Sequence, residues 1–204
     1  YFSYTYTNSA DSPYGSFSDY TSKLPYDEYK DEYGNYLKTT YGWNGTSGAE
    51  NPLYEATLGN YSRDKSWELI DNIELLWNIN HYWLLKGQFS VTKSNSEAND
   101  FLDPRSKKNS EILGLTNVVS GQLDVTTNKS VGWNATMTLS YNRTIKKNSL
   151  NFLAGLNATS STGDGLSISY RGFPSGSLSS PGYAHSIYGN PSASDTKSRL
   201  LGAL

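Results

Sequence analysis

The residues whose types could do chemistry are few and scattered. The two histidines, His81 and His185, lie far apart in the sequence. Neither stands at a metal-ligand spacing or beside a nucleophile motif. Glu97, Asp100 and Asp103 offer carboxylate oxygens that suit calcium, but the EF-hand spacing is not met and a solvated loop is the stronger reading. The run Tyr26-Asp-Glu-Tyr-Lys-Asp-Glu-Tyr33 is rich in carboxylates. Nothing fixes two of them across a cleft, so it reads as a wet loop surface, not an acid/base pair. There is no Gly-x-Ser-x-Gly, no P-loop and no dinucleotide fingerprint. Cysteine is absent, which removes thiolate chemistry and disulfides. The sequence therefore predicts no enzyme, no cofactor and no metal site.

Binding surface is the chemistry that remains. Tyr41, Trp43, Tyr170 and Phe173 fall in stretches rich in Gly, Asn and Ser, and are the candidate substrate contacts. Flat rings of this kind stack on sugars or grip extended peptides; the alternative is that they pack loop against loop. The net charge of −2 and pI of about 5.7 give no basic footprint for nucleic acid. No run of ~18 apolar residues marks a transmembrane helix.

The elements that must carry these side chains are strands. Tyrosine occurs 17 times and tryptophan 5 times against a mean hydropathy of −0.61. That is poor material for a helical core and good material for sheets with one apolar and one wet face. Ile73, Leu75, Trp77 and Ile79 alternate with Asn72, Glu74, Asn78 and Asn80; Leu76 is the exception. After His81-Tyr82-Trp83, Leu85, Gly87, Phe89 and Val91 alternate with Lys86, Gln88, Ser90 and Thr92. A hairpin with a tight aromatic tip at 80–83 follows. A helix over 66–77 is the competing pattern, disfavoured by its asparagines. A second hairpin places Trp133, Ala135, Met137, Leu139 and Tyr141 opposite Leu150, Phe152, Ala154, Leu156 and Ala158, with its turn at Lys146-Lys147-Asn148. Phe2, Tyr4 and Tyr6 mark a further strand over 1–7, and 199–204 reads as a strand beginning. The stretches 8–66, 94–130 and 160–197 read as long irregular loops, with one short strand pair expected around Val118–Val125.

Short turns alternating with long loops point to part of an outer-membrane β-barrel. The fold class expected is all-β, antiparallel and up-and-down. If both tips lie on the inner side, 94–130 is wholly outside; if instead one full barrel strand lies in 112–128, the two tips sit on opposite sides. Trp77, Tyr82, Trp83, Trp133 and Tyr141 suit the interfacial aromatic girdles of such barrels, with ordinary core packing as the alternative. The chain supplies about five or six strands, too few to close a barrel, so residues 1–204 are expected to be one segment of a larger barrel domain. A surface adhesin or carbohydrate-binding sandwich competes with this, and would bury Leu139, Phe152 and Leu156 against a second sheet.

The order of short motifs resembles the SusC/RagA family of TonB-dependent outer-membrane transporters. Leu24-Pro25-Tyr26-Asp27, Asp31-Glu32-Tyr33-Gly34-Asn35 and Asn51-Pro52-Leu53-Tyr54 precede the first hairpin; Arg171-Gly-Phe-Pro-Ser-Gly176 and Arg199-Leu follow the second. The resemblance implies a parent in the cell outer membrane with a barrel of about 22 strands and an internal plug. It implies a SusD-like surface lipoprotein as lid, the TonB system as power source, and an oligosaccharide or oligopeptide as cargo. Asn72, Glu74, Gln88, Asn134 and Thr136 would face the water-filled interior.

Overall fold

A computed structural model describes residues 2–10, 17–21, 23, 27–41, 49–109 and 120–203. Six strands form one antiparallel sheet in the order β1-β5-β6-β7-β8-β9. They are β1 (Phe2–Ala10), β5 (Tyr61–Asn78), β6 (Trp83–Leu102), β7 (Gln122–Ile145), β8 (Asn148–Arg171) and β9 (Ser186–Ala203). A small three-stranded sheet of β2 (Glu28–Lys30), β3 (Tyr36–Tyr41) and β4 (Ala49–Glu50) lies between β1 and β5 in sequence, with two short helices, α1 (Phe17–Thr21) and α2 (Pro52–Glu55). Among the described residues no helix is long and apolar enough to cross a membrane.

Both predicted hairpins form, and the stretch around 66–77 is strand, not helix. In the first tip Asn80 Oδ1 accepts from the backbone N–H of Tyr82 at 2.9 Å and of Trp83 at 3.1 Å. An asparagine there reverses the chain by standing in for backbone. The second turn is two residues, Lys146-Lys147, with Lys146 at φ 54°. Positive φ is what tight hairpins need to match strand twist. Asn148 already belongs to β8. The two tips lie at one end of the sheet, since Asn142 N–H bonds Tyr82 O at 2.9 Å. The connections 103–121 and 172–185 and the small sheet lie at the other.

The strands correct three expectations. They are 18, 20, 24, 24 and 18 residues long from β5 to β9, about twice the alternating arms. Residues 94–102 continue β6, 122–130 begin β7, 159–171 continue β8, and 186–198 are the first part of β9, so these are not loops. Residues 122–125 open β7 and form no separate flap; Val118 is outside the described residues. Arg199 stands well inside a strand. The reason is common to all three. Away from the tips both strand faces carry polar residues, so period-two contrast vanishes while backbone pairing continues.

The register sorts side chains onto two faces. Rows such as Ile73–Phe89–Ala135–Ala158 and Trp77–Leu85–Leu139–Ala154 are apolar. Rows such as Glu74–Gln88–Thr136–Asn157 are polar. Tyr4 and Tyr6 extend the apolar side through their pairing with Leu69 and Trp67. Among the described residues no second sheet covers the apolar face: Leu75, Phe152 and Leu201 are 59%, 55% and 78% exposed. A β-sandwich would have buried it. Near the loop end the same face carries the one compact core. There Phe101, Leu123 and Phe173 are buried, with Tyr61, Val125, Tyr170 and Ala184 against them.

Candidate functional site

Two polar regions stand out, one on the polar face and one at the loop end. On the polar face Lys86 Nζ lies 3.1 Å from Glu74 Oε1, and Gln88 Nε2 donates to Glu74 Oε2 at 3.3 Å. Asn157 Nδ2 donates to Thr136 Oγ1 at 2.8 Å, and Thr136 Oγ1 to Asn134 Oδ1 at 3.2 Å. Glu74, Gln88, Asn134 and Thr136 line a hollow of about 470 Å³ that Asn72, Ser90, Ile73 and Phe89 complete. All five residues expected to face water, Asn72, Glu74, Gln88, Asn134 and Thr136, are brought together here. Farther toward the loops the face is lined by small groups, with Ser94 and Ser130 hydroxyls 2.7 Å apart and Gly163 and Gly165 opposite β7. The arrangement offers donors and acceptors over a long strip, carrying the Lys86–Glu74 pair in the hollow and acidic side chains toward the loops, suited to holding a hydrated polar chain.

At the loop end a buried network binds three connections to one another. The Asp103 carboxylate is fully buried. It accepts from Gly59 N–H at 3.0 Å, Arg105 N–H at 2.9 Å and the Arg105 guanidinium at 2.9 and 3.1 Å. Burial pushes its pKa up, but the hydrogen bonds and charge of Arg105 and the Gly59 and Arg105 amides outweigh this and hold it below the usual carboxylate range. Glu55 accepts from Ser106 Oγ at 2.6 Å, Lys107 N–H at 2.8 Å and Asn60 Nδ2 at 2.9 Å. Asn109 ties Asp103 O to Gly121 N–H, at 2.6 and 2.9 Å. Gly176 packs on the Asp103 carboxylate so closely that a Cβ would overlap it. Asn51 caps α2 ahead of Pro52, accepting from Leu53 N–H at 3.1 Å and donating to Leu37 O and Tyr29 O at 2.7 and 3.0 Å.

Above this network opens a cleft of about 760 Å³, with Arg105, Lys38, His185, Tyr54 and Tyr183 around it and Phe173 at its base. Burial raises the Tyr54 hydroxyl's pKa, against the pull of Arg105, so Tyr54 stays a neutral hydrogen-bonding group.

The predicted site residues are dispersed. Phe173, expected as an open loop ring, is only 4% exposed, with its ring edge-on to Phe101 at 5.1 Å. Tyr170 is half-buried against the same core. Tyr41 ends β3, and Trp43 lies outside the described residues. So Tyr170 and Phe173 come together by packing. Glu97, Asp100 and Asp103 are not a cluster: Glu97 and Asp100 point to opposite faces of β6, and Asp103 is committed to Arg105. Among the described residues no group of His and acidic side chains is placed to hold a metal. His81 lies in the first tip and His185 on the cleft. The run before Tyr33 forms the β2–β3 hairpin. Its Asp31 accepts from Tyr33 N–H at 2.9 Å and Asn35 N–H at 2.8 Å, and Asn35 foremost lowers its pKa.

The aromatics occupy two levels of the apolar face. Near the tips Tyr82 and Trp83 lie 6.2 and 4.6 Å from Tyr141, with Trp77 beside them on β5. Trp133 is eight residues farther along β7, about 25 Å up the strand, with Phe89 6.4 Å away. Trp67, which the sequence pattern did not single out, stands nearby with Lys93 Nζ 5.8 Å from its ring. The Asp103 network was likewise missed; Asn51-Pro52, an N-cap before proline, and Asp103-Pro104 were its only local signals.

No protein-family model and no curated protein matches this chain. Solved structures do. The RagAB peptide importer in its closed-closed state superposes with a TM-score of 0.69 at 19% identity, covering 85% of this chain and 19% of that one. Its open-open state gives 0.69 at 18% identity over 85% and 18%. A third, the RagAB peptide transporter, gives 0.68 at 19% identity over 83% and 18%. The chain thus spans about a fifth of the length of the chains it matches. With its long antiparallel strands, paired tips at one end and bound loops at the other, it has the all-β fold of one stretch of a RagAB chain.

Proposed function

We propose that this chain is wall and outer rim of a TonB-dependent outer-membrane transporter of the SusC/RagA kind, importing oligopeptides or oligosaccharides beneath a SusD-like lipoprotein lid. The observation that carries the reading is the two-faced sheet. One face is apolar, uncovered among the described residues and bounded by two aromatic levels; the other is mainly Asn, Thr, Ser and Gln with acidic side chains toward the loops, interrupted by Ile70, Leu76, Leu84 and Leu153. A barrel wall with lipid outside and water inside requires that division. At the usual tilt of barrel strands the stretch from Tyr141 to Trp133 spans about 20 Å of height, most of an apolar band of ~25 Å, which makes Trp77, Tyr82, Trp83 and Tyr141 the inner girdle and Trp133 the outer. Tight tips at one end and long connections at the other give the inner and outer sides. The likeness to peptide importers supports peptide as cargo, and the polar inner face fits a polar chain of either kind. The segment is conduit, not catalyst.

Paired substitutions in the parent protein test this. Leu139→Arg and Phe152→Arg place a cation on the lipid face, which costs about 2–4 kcal/mol at the bilayer midplane. Thr138→Arg places the same cation one residue away on the inner face. The first two should lower the heat-modifiable, membrane-assembled fraction and the third should leave it intact. Equal assembly of all three would overturn the reading.

A further inference from the structure

On the apolar face, cationic residues begin in the row of Trp133 and continue outward past Trp67. Lys65 is two residues outward of Trp67, Lys93 two outward of Val91, Lys129 two outward of Val131, and Arg199 and Lys197 two and four outward of Leu201. All five are exposed. They lie on four strands within four successive rows of the register, Lys93 and Lys197 sharing one. Lys93 pairs with Leu69 and Val131, Lys129 with Asn95 and Asp164, and Arg199 with Ser160. Three carboxylates share this belt. Glu97 accepts from Asn99 Nδ2 at 2.7 Å, Asp195 pairs with Lys197 at 3.1 Å, and Asp164 lies opposite Lys129 and Asp195. Asp71 is a fourth, beside Val91 in the same row as Arg199, and Glu97 lies directly opposite Lys65.

The opposite face at the same height has the reverse character. It carries Asp64, Glu68, Asp100 and Asp124 among serines and glycines, with no Lys or Arg until Arg171. A strand extension that was merely solvated would have no reason to segregate charge by face. Here cations collect on the side that continues the apolar band, at its outer edge, and one of them lies against Trp67.

We propose that this belt binds the phosphorylated headgroups of an anionic lipid in the outer leaflet. The proposal rests on the barrel reading above. The occupant must be anionic and must sit at the height where acyl chains end, and a lipid phosphate meets both demands. Long Lys and Arg side chains with apolar stems reach such a phosphate from the edge of the band.

The test uses the full-length parent protein, wild type and the combined variant K65Q/K93Q/K129Q/R199Q, purified in neutral detergent. Each is titrated with bis-phosphorylated lipid A and with dephosphorylated lipid A, and bound lipid is read by native mass spectrometry. Wild type should prefer the phosphorylated lipid. The variant should lose that preference, at about fivefold per cation removed, while remaining heat-modifiable. Equal binding of both lipids by wild type, or an unchanged preference in the variant, overturns the belt. So does a variant that keeps its lipid and instead releases a co-purifying acidic protein, which would make the belt a protein contact. A parent that forms no heat-modifiable barrel even as wild type defeats the transporter reading itself, a failure distinct from a barrel that binds both lipids alike.

Discussion

Asp103 shows how much a single residue holds at the loop end. Its carboxylate is enclosed by two amides and a guanidinium, with Gly176 against it. Gly176→Ala forces a methyl into that carboxylate and should cost about 2–3 kcal/mol, the scale of overpacking in a tight site. The expected readout is faster proteolysis within 103–121 and 172–185 in the assembled parent, with heat-modifiability unchanged. Asp103→Asn keeps the shape but loses the charge. Since the Arg105 side chain is 60% exposed, the loss should be modest, about 1–2 kcal/mol. The pH dependence follows from the sign of the shift. A folded pKa below the unfolded ~3.9 means the stabilisation is complete above that value and is lost as pH falls through the lower folded one. Pepsin cleavage of these loops should therefore rise only in strong acid, and D103N should flatten that rise.

At the scale of elements, the strands divide into a part the sequence announces and a part it does not. Leu85, Gly87, Phe89 and Val91 against Lys86, Gln88, Ser90 and Thr92 give two faces and a tip, and both are found in the sheet. Past Thr92 the strand reads Lys-Ser-Asn-Ser-Glu-Ala-Asn-Asp, polar on both sides, and alternation has nothing to report. Only pairing with β5 and β7 keeps it extended, which is information held in the neighbours. Phe173 was misjudged for a related reason. Its Gly- and Pro-rich surroundings look like an open loop, while the apolar row that receives it, Tyr61–Phe101–Leu123–Tyr170, is spread over four strands. The β8–β9 pairing shows the opposite case. Its register shift between Ser167 and Ser169 coincides with Gly189, Asn190 and Pro191, residues suited to a bulge. The Lys146-Lys147 turn yields a direct prediction. Lys146 adopts a left-handed φ that costs a non-glycine residue about 1 kcal/mol, so Lys146→Gly should raise the temperature of heat modification slightly, and Lys146→Val should lower it.

For the whole molecule, β1 and β9 each pair on one side only among the described residues. Two open edges flank a face that exposes Ile73, Trp77, Phe152 and Leu201. Such a sheet is a template for further pairing. Expressed by itself in water, the 204-residue chain should self-associate, and light scattering should show large species that detergent reduces. A stable monomer in buffer would contradict the lipid-facing assignment.

The strands also fix where the rim stands. β7 runs for 24 residues, and in the proposed barrel only the part between Trp133 and Tyr141 would cross the apolar band. The remainder toward the loops would stand as a chimney of about 30 Å, allowing for the tilt of barrel strands. At its top Asp103 and Glu55 join the connection before β5 to the one before β7, and Gly176 of the β8–β9 connection packs on the Asp103 carboxylate. Connections joined in this way would move together, so the mouth of the proposed barrel would behave as a fixed collar and not as a set of loops that open separately.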